Sequence, residues 1–544
     1  MPSNAPSPHH TGDDRLLEIR DLKIEGQTDG IWQPIIHGID LDLNRGEILG
    51  LIGESGAGKS TVGLAAMGYV KPGMRFTGGS VNFDGRDLLS MPDKDQRRYR
   101  GKRIAYVAQS GQASFNPGYR LIEQTVEAAL VHSVLPRDQA IARAIDLYGK
   151  LSLPEPEIIG FRYPHQVSGG QLQRAMTAMA MECQPDLIVF DEPTTALDVT
   201  TQVNVLASIR DIVQEFNTAA IYITHDLAVV AQLADRIKVL RYGREVEDAE
   251  TQRMLSDPQE DYTKSLWAVR NITRTERSSD DIQLSVKNVS ASYGKTVKVL
   301  KDIDIDIPKG RTVAVVGESG SGKSTLARSI IGLLPPDNGE VLFQGDALPP
   351  SIGARSKDLL RRIQLIYQSP DTALNPRQSV GEAIGRPLEF YLGLKGRARE
   401  ARVAELLNLI ELDESFAYRL PGELSGGQKQ RICIARALAA NPDLIICDEV
   451  TSALDQIVQE EILNLLIRLQ EELGITYVFI THDIAVVRAI ADEVIVMQMG
   501  KVVEKGSRSA VLDNPQSPYT QLLLSAVPKM DPGWLDQVLA ERSK

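Results

Sequence analysis

The stretch Gly53-Glu54-Ser55-Gly56-Ala57-Gly58-Lys59-Ser60-Thr61 decides the fold of this chain. It matches the pattern G-x-x-x-x-G-K-[ST]; the apolar run before it predicts a buried strand, and the residues after it predict a helix. Glycines let successive N–H groups face one concavity, and the helix N-terminus adds partial positive charge. In such a loop Lys59 reaches the β- and γ-phosphates of a nucleotide, and the Ser60 hydroxyl ligates Mg²⁺.

A second copy of the loop lies 264 positions further on, after the apolar run 313–316. A chance match that occurs twice at domain spacing is not credible, so we predict two nucleotide-binding domains. The predicted nucleotide-binding positions are Gly53, Ser55, Gly56, Gly58, Lys59, Ser60 and Thr61 in the first loop, and Gly317, Ser319, Gly320, Gly322, Lys323, Ser324 and Thr325 in the second.

Bulk composition narrows the class of protein. The 544 residues are 42% hydrophobic and 24% charged, which is typical of soluble globular proteins. The net charge of −12 disfavours an extended nucleic-acid interface, which needs a basic face, so no nucleic-acid partner is expected. No apolar run approaches the roughly 20 residues that span a bilayer, and no secretory segment opens the chain, so we expect a cytoplasmic protein.

The three cysteines, Cys183, Cys433 and Cys447, have no C-x-x-C spacing. All three lie in apolar surroundings, which predicts small core residues in a reducing compartment rather than ligands. We therefore expect no iron–sulfur cluster.

Polar residues end several apolar strands of the first half. Gln109 follows the run 104–108, Asp191 and Glu192 follow 187–190, and His225 follows 221–224. Strands that alternate with helices predict a mostly parallel sheet, in which ligands collect at the carboxyl ends of the strands. We therefore expect these four residues to share one site with Lys59.

The second half repeats every element in the same order, with Gln368, Asp448, Glu449 and His482 at the corresponding places. Three features each lie 257 positions from their own copy in the other half: the Asp-Glu pair, the histidine and the Ser-Gly-Gly-Gln run. We predict a disordered N-terminus at 1–14, a first domain at 15–270, a linker at 271–281, a second domain at 282–528, and a tail at 529–544 containing a short amphipathic helix.

This set of motifs resembles the nucleotide-binding subunits of ATP-binding-cassette (ABC) transporters over residues 16–268 and 282–528. The most specific motif is Ser-Gly-Gly-Gln, at 168–171 and 425–428, upstream of an apolar strand that ends in Asp-Glu. The resemblance implies an α/β fold of two tandem phosphate-loop NTPase domains of the ABC type. Each has a mostly parallel sheet, an antiparallel β subdomain and a helical subdomain.

In that family two cassettes stack head to tail, and each ATP lies between the phosphate loop of one and the Ser-Gly-Gly-Gln of the other. The first site then combines residues of the first half with Ser425 and Gly427 of the second Ser-Gly-Gly-Gln run. The residues of the first half are Lys59, Ser60, Gln109, Asp191, Glu192 and His225. The second joins Lys323, Ser324, Gln368, Asp448, Glu449 and His482 with Ser168 and Gly170.

The resemblance assigns a role to each side chain of these sites. The Mg²⁺ ligands are Ser60, Gln109 and Asp191 in the first site, and Ser324, Gln368 and Asp448 in the second. Glu192 and Glu449 are general bases, and His225 and His482 contact the γ-phosphate. Because both halves keep the glutamate and the histidine, we predict two sites that hydrolyse ATP.

Finer features resemble the peptide-type importers, which take up di- and oligopeptides, nickel and related solutes. They are Tyr163-Pro164-His165, Asn116-Pro117, Asn375-Pro376 and the Tyr-Thr pairs at 262–263 and 519–520. The resemblance implies two integral-membrane permease subunits, an extracytoplasmic solute-binding protein, and a peripheral position on the cytoplasmic face of the inner membrane. The solute itself is not encoded in a cassette.

The two halves differ at the expected adenine contact. Tyr293 supplies the aromatic side chain in the second half, whereas the matching position of the first half is Gly26, with Trp32 as a possible substitute. Two other classes of protein stay open: a soluble twin-cassette ATPase acting on ribosomes or nucleic acid, and an exporter ATPase. The short, non-basic linker disfavours the first, and the lack of a fused membrane domain disfavours the second.

Overall fold

The computed structural model describes residues 14–28, 30–194, 199–268, 274–294, 297–452 and 454–542. Two sequence predictions fall partly outside these ranges: the disordered N-terminus up to residue 13, and the first linker residues 271–273.

The chain forms two compact units. The first comprises Met1–Ala268 together with Pro528–Lys544, and the second comprises Val269–Val527. The predicted tail is therefore part of the first unit, and the predicted linker is part of the second.

In the first unit the strands and helices follow in this order: β1 (Arg15–Thr28), β2 (Ile31–Asn44), β3 (Ile48–Ile52), α1 (Lys59–Ala65), β4 (Met74–Phe83), β5 (Arg86–Asp87), α2 (Asp93–Gln96), β6 (Ile104–Val107), α3 (Gly111–Ser114), α4 (Leu121–Thr125), α5 (Glu127–Val131), α6 (Arg137–Lys150), α7 (Pro156–Ile159), α8 (Gly169–Met181), β7 (Leu187–Asp191), α9 (Val199–Phe216), β8 (Ala219–Ile223), α10 (Leu227–Leu233), β9 (Arg236–Arg241), β10 (Arg244–Glu250), α11 (Thr251–Ser256) and α12 (Asp261–Ala268).

The second unit repeats the series: β11 (Ile282–Tyr293), β12 (Val297–Pro308), β13 (Thr312–Val316), α13 (Lys323–Ile331), β14 (Asn338–Phe343), β15 (Asp346–Ala347), α14 (Lys357–Arg362), β16 (Ile363–Ile366), α15 (Pro370–Ala373), α16 (Val380–Leu392), α17 (Gly396–Leu409), α18 (Gly426–Leu438), β17 (Leu444–Asp448), α19 (Gln456–Leu473), β18 (Thr476–Ile480), α20 (Ile484–Ile490), β19 (Glu493–Gln498), β20 (Lys501–Ser507), α21 (Arg508–Asp513) and α22 (Pro518–Ser525). The last helix, α23 (Trp534–Arg542), belongs to the first unit.

Each unit contains a six-stranded sheet and a four-stranded sheet. The larger sheet of the first unit has the order β10-β9-β3-β8-β7-β6, in which only β10 is antiparallel. The smaller sheet, β2-β1-β4-β5, is antiparallel throughout. The second unit has the corresponding sheets β16-β17-β18-β13-β19-β20 and β12-β11-β14-β15. The predicted fold is confirmed in both units.

Strands β3, β7 and β8 are buried along their whole length, which explains why they are continuous apolar runs rather than alternating ones. Side chains from both sheets of the first unit form one core, including Leu17, Leu41, Leu51, Phe83 and Val189. In the second unit a separate apolar cluster joins helices α16 to α19. The cluster continues into strands β17 and β18 through Cys447 and Phe479, so the helical subdomain and the large sheet share this core.

The C-terminal segment docks on helices α9 and α10 of the first unit. Trp534, Leu535 and Val538 of α23 are almost fully buried. The buried Gln232 side chain donates hydrogen bonds to the main-chain oxygens of Lys529 (2.7 Å) and Asp531 (3.0 Å), and its oxygen accepts one from the Leu535 N–H (3.1 Å).

Two charged contacts reinforce this docking. Arg210 pairs with Asp536 at 2.8 Å, and Arg542 donates to Asn204 of α9 at 3.1 Å. Within the second unit, residues 274–277 dock by similar means, since both Arg274 and Arg277 donate to the Gln470 side-chain oxygen.

All three cysteines are buried and unbridged, as core residues are. Over the described ranges, no helix is both long and apolar enough to cross a membrane.

Candidate ATP-binding and hydrolysis sites

The phosphate loops take a backbone conformation that requires glycine. Gly53 and Gly317 have φ angles of 149° and 146°, and a Cβ on either would collide with a main-chain oxygen of the neighbouring strand, at Leu240 or Met497. Gly58 and Gly322, at 97° and 105°, are the N-cap residues of helices α1 and α13. These values lie in the left-handed region that residues with a Cβ rarely adopt. The loops therefore present bare N–H groups to an anion.

The loop lysine in each unit lies over its own loop. Lys59 Nζ donates to the carbonyl oxygens of Gly53 (2.6 Å) and Glu54 (2.9 Å). Lys323 makes the same two hydrogen bonds, to Gly317 (2.7 Å) and Glu318 (2.8 Å). Both side chains are buried, and a lysine at this position of such a loop contacts the β- and γ-phosphates of a bound nucleotide.

A hydroxyl and a carboxylate meet beside each loop. Ser60 Oγ donates to Asp191 Oδ1 at 2.9 Å, and Ser324 Oγ donates to Asp448 Oδ1 at 3.0 Å. Both are hard oxygen donors of the kind that Mg²⁺ prefers. This donor set fits the predicted metal.

Gln109, Glu192 and His225 form a connected group at the carboxyl edge of the large sheet. Gln109 Nε2 donates to Glu192 Oε2 at 2.9 Å, and His225 Nδ1 lies 3.1 Å from Glu192 Oε1. In the second unit, Gln368 donates to Glu449 at 2.6 Å, and His482 Nδ1 lies 3.6 Å from Glu449. The structure thus brings together, within each unit, the side chains predicted from the strand ends.

The two glutamates have an unusual backbone. Glu192 and Glu449 both have positive φ angles, 49° and 50°. A non-glycine residue in this region costs roughly 1–3 kcal/mol, and such strain concentrates at functional sites. The strand ends at the preceding aspartate, and this turn directs the glutamate toward the glutamine and the histidine.

The paired charges shift the pKa values of the group. Burial alone would lower the pKa of His225, but the contact with Glu192 and the negative charges of Glu192 and Asp226 raise it above its ordinary value. The pKa of His482 is raised in the same way by Glu449. Burial acts to raise the pKa of Glu449, but His482 and Lys323 bring it below the ordinary value. Burial raises the pKa of Asp448.

The Ser-Gly-Gly-Gln runs open helices α8 and α18. Ser168 and Ser425 cap these helices: each hydroxyl accepts the N–H of the glutamine three residues on, and that glutamine side chain accepts the N–H of the serine. Gly170 and Gly427 lie in the first turn, where free N–H groups and the helix dipole favour an anion.

Tyr262 and Tyr519, for which the sequence predicts no role at the site, form hydrogen bonds with the phosphate loops. The N–H of Glu54 donates to the Tyr262 hydroxyl at 3.2 Å, and that of Glu318 donates to Tyr519 at 3.1 Å. The signal was present in the repeat, because the Tyr-Thr pairs lie in the same register as the catalytic motifs.

The predicted adenine contacts differ in structure between the units. Tyr293 ends β11, and its hydroxyl accepts a hydrogen bond from Arg328 at 2.8 Å. In the first unit Gly26 lies within the β1–β2 hairpin opposite Gln33. The Trp32 ring stacks under the Arg75 guanidinium, 4.2 Å from its centroid.

The chain has two phosphate loops. Beside each loop lie a hydroxyl, two carboxylates, a glutamine and a histidine at a sheet edge, and this arrangement defines a tandem phosphate-loop ATPase. The ABC transporter family model matches residues 36–195 and 300–452, and the model "Oligopeptide/dipeptide transporter, C-terminal region" matches 503–543. The chain belongs to the ABC transporter family.

Among curated proteins, the glutathione import ATP-binding protein GsiA of Salmonella choleraesuis is 38% identical over 561 residues, covering 95% of this chain and 90% of the relative. GsiA of Escherichia coli K12 is 37% identical over 565 residues, with the same coverage. Among solved structures, cbiO1 of Clostridium perfringens, part of the cbiONQ transporter complex, is 32% identical, with a TM-score of 0.40. It covers 43% of this chain and 92% of its own.

These comparisons confirm the predictions of an ATPase, of a twin-cassette subunit and of the peptide-type importer class. They favour neither of the two alternative classes.

Proposed function

We propose that this chain powers the uptake of peptides or related small solutes through partner permeases, by binding and hydrolysing ATP at two sites. The observation that carries the proposal is the Gln–Glu–His group beside a lysine-bearing phosphate loop, present in both units. Its repetition supports two sites of similar chemistry.

In the proposed reaction a water molecule attacks the γ-phosphorus of ATP, the bond between that phosphorus and the bridging oxygen breaks, and ADP leaves. Glu192 orients the water and accepts its proton. The carboxylate is suited to this role because Gln109 and His225 each contact one of its two oxygens. The loop N–H groups and Lys59 bind the transferred phosphate and its neighbours. Glu449, Gln368 and His482 act alike in the second unit.

Mg²⁺ would be held in the first unit by Ser60, Gln109 and Asp191, and in the second by Ser324, Gln368 and Asp448. When bound, it neutralises charge on the β- and γ-phosphates. We further propose that Ser168, Gly170, Ser425 and Gly427 bind the phosphates of a nucleotide. The capped helix N-termini of α8 and α18 supply the N–H groups for that contact.

The partners in this proposal are two integral-membrane permeases and an extracytoplasmic solute-binding protein, with the chain on the cytoplasmic face of the inner membrane. Exposed large apolar side chains can mark an attachment surface when they lie together. Among those exposed here are Tyr119, Ile158 and Phe161 in the first unit, between α3 and α8, and Phe390, Tyr418 and Leu420 in the second unit, between α15 and α18.

The proposal is tested by isolating the tagged chain from detergent-solubilised membranes with ATP present and identifying the co-purifying proteins by mass spectrometry. Two permeases together with a solute-binding protein are expected, and that binding protein's ligand names the solute. Ribosomal proteins without a permease would overturn the import function. A Lys59→Ala, Lys323→Ala variant, carried through the same purification, separates ATP-dependent partners from constant ones.

A further inference from the structure

Tyr106 contacts the carboxylate that the first site offers to its metal. The hydroxyl of Tyr106 donates a hydrogen bond of 2.6 Å to Asp191 Oδ2, while Ser60 occupies Asp191 Oδ1 at 2.9 Å. Both oxygens of this carboxylate are therefore engaged by neighbours on different elements. Its orientation is fixed from two sides.

The sheet register explains how the tyrosine reaches that oxygen. Tyr106 of β6 is paired with Val189 of the parallel strand β7, and Asp191 lies two residues further along β7. Because side chains two residues apart lie on the same face of a strand, Tyr106 and Asp191 share one face of the sheet. The contact follows from the pairing and needs no distortion of either strand.

The second unit has no such donor at the matching place. Leu365 of β16 is paired with Ile446, two residues before Asp448, just as Tyr106 is paired with Val189. A leucine side chain carries no polar atom, so it cannot donate to Asp448. The two sites share their loop, glutamine, glutamate and histidine, but they differ in this neighbour of the metal-binding carboxylate.

We propose that Tyr106 is a positioning residue that holds Asp191 for the divalent cation of the nucleotide complex, so that the first site binds this cation more tightly than the second. The inference rests on the proposed function, since it assumes that Asp191 and Asp448 bind the metal. Groups that hydrogen-bond to a metal-ligating carboxylate orient it, and their removal typically lowers metal affinity about 10–100-fold.

The test measures metal binding on the full-length chain without turnover. Mn²⁺ is titrated in the presence of the non-hydrolysable analogue AMP-PNP, and bound Mn²⁺ is followed by electron paramagnetic resonance. The parent is expected to show two classes of Mn²⁺ site. Tyr106→Phe keeps the ring and removes only the donor, so it should weaken the tighter class about 10–100-fold and leave the other unchanged.

Leu365→Tyr is the reciprocal variant, because it offers a donor to Asp448 at the matching position of the second unit. It should tighten the weaker class of site. The affinity for AMP-PNP in EDTA separates positioning from a general structural role, and Tyr106→Phe should leave it unchanged.

Three results would overturn the inference: an unchanged Mn²⁺ titration for Tyr106→Phe, an equal weakening of both classes, or a fall in AMP-PNP affinity without metal. A parent that binds no Mn²⁺ with AMP-PNP would instead overturn the proposed function, and the inference with it.

Discussion

His225 Nδ1 lies 3.1 Å from Glu192 Oε1, whereas the matching atoms of His482 and Glu449 lie 3.6 Å apart. The contact is thus closer in the first unit. In each unit the glutamate raises the pKa of the histidine that it contacts. The protonated imidazolium is therefore favoured in the folded protein, and the two pairs respond to pH.

The first prediction concerns this pH response. Because the folded pKa of His225 lies above the unfolded one, the pair stabilises the protein fully below the ordinary pKa of about 6.5, and this stability is lost as the pH rises through the folded pKa. His225→Gln should therefore lower stability at pH 6 by about 1–2 kcal/mol and have little effect at pH 9.

The measurement is the difference in thermal unfolding midpoint between parent and variant from pH 5.5 to 9. His482→Gln is the matched control and should show a smaller difference, because its pair is longer. A difference in unfolding midpoint between the parent and His225→Gln that grows with pH would contradict a stabilising pair between protonated His225 and Glu192.

The second prediction concerns the bases. Glu192→Gln combined with Glu449→Gln should lower ATP turnover by about 10²–10⁴-fold, the usual contribution of a general base. Nucleotide affinity should be retained, since the loops and their lysines are untouched. Turnover is measured by phosphate release and affinity by equilibrium binding. Each single variant serves as the control for its own site, and a double variant with the parental rate would exclude both glutamates as bases.

The third prediction concerns the docked C-terminal helix. Trp534 is 2% exposed, and truncation of a buried tryptophan costs about 3–5 kcal/mol. Trp534→Ala should release α23 and lower the amide hydrogen-exchange protection of α10, against which it docks. Helix α20 is the internal reference, because it belongs to the second unit and α23 belongs to the first. The position in α20 that corresponds to Gln232 is Ala489, whose side chain cannot make the same hydrogen bonds. Equal loss of protection in both helices would count against a local role.

The fourth prediction concerns Glu182, which is fully buried at the end of α8. Within the described part of the chain, neither carboxylate oxygen has a hydrogen-bond partner. Burial raises its pKa from 4.5 to about 8. Between these values the folded state holds a proton that the unfolded state releases, so stability falls as the pH rises from about 4.5 to 8.

Glu182→Ala copies the second unit, where Ala439 stands in the same register. It should remove that slope and raise the free energy of unfolding at pH 8 by about 1–3 kcal/mol, the cost of an unsatisfied buried polar group. Urea unfolding at pH 5 and pH 8 checks this, with Glu182→Gln as a variant of similar size. A slope that persists in both variants would assign the pH dependence to another group.

Much of the fold and site could be predicted from the sequence because the decisive features are local. The glycines of the phosphate loop, the apolar runs of β3, β7 and β8, and the polar residues at their ends each carry their meaning within a few residues. Parallel pairing then brings Gln109, Glu192 and His225 together without further information.

What could not be predicted depends on contacts between distant segments. Tyr106 reaches Asp191 through strand register, and no local pattern marks it among other β-strand tyrosines. Tyr262 reaches the phosphate loop across 208 positions of sequence. The docking of the tail on the first unit requires knowledge of tertiary packing, because an amphipathic helix does not specify the surface it covers.

The place of residues 528–542 in the first unit has a consequence for how the protein is made. The ribosome completes the whole second unit before it reaches these residues, which at about 5–20 residues per second takes on the order of tens of seconds. Throughout that time the face of α9 and α10 that receives the tail, through Arg210 and Gln232, stays uncovered. A chain that stops anywhere before residue 528 never covers this face and leaves the Gln232 side chain without its partners from the tail, so the uncovered face distinguishes unfinished copies, which chaperones and proteases can bind, from finished ones.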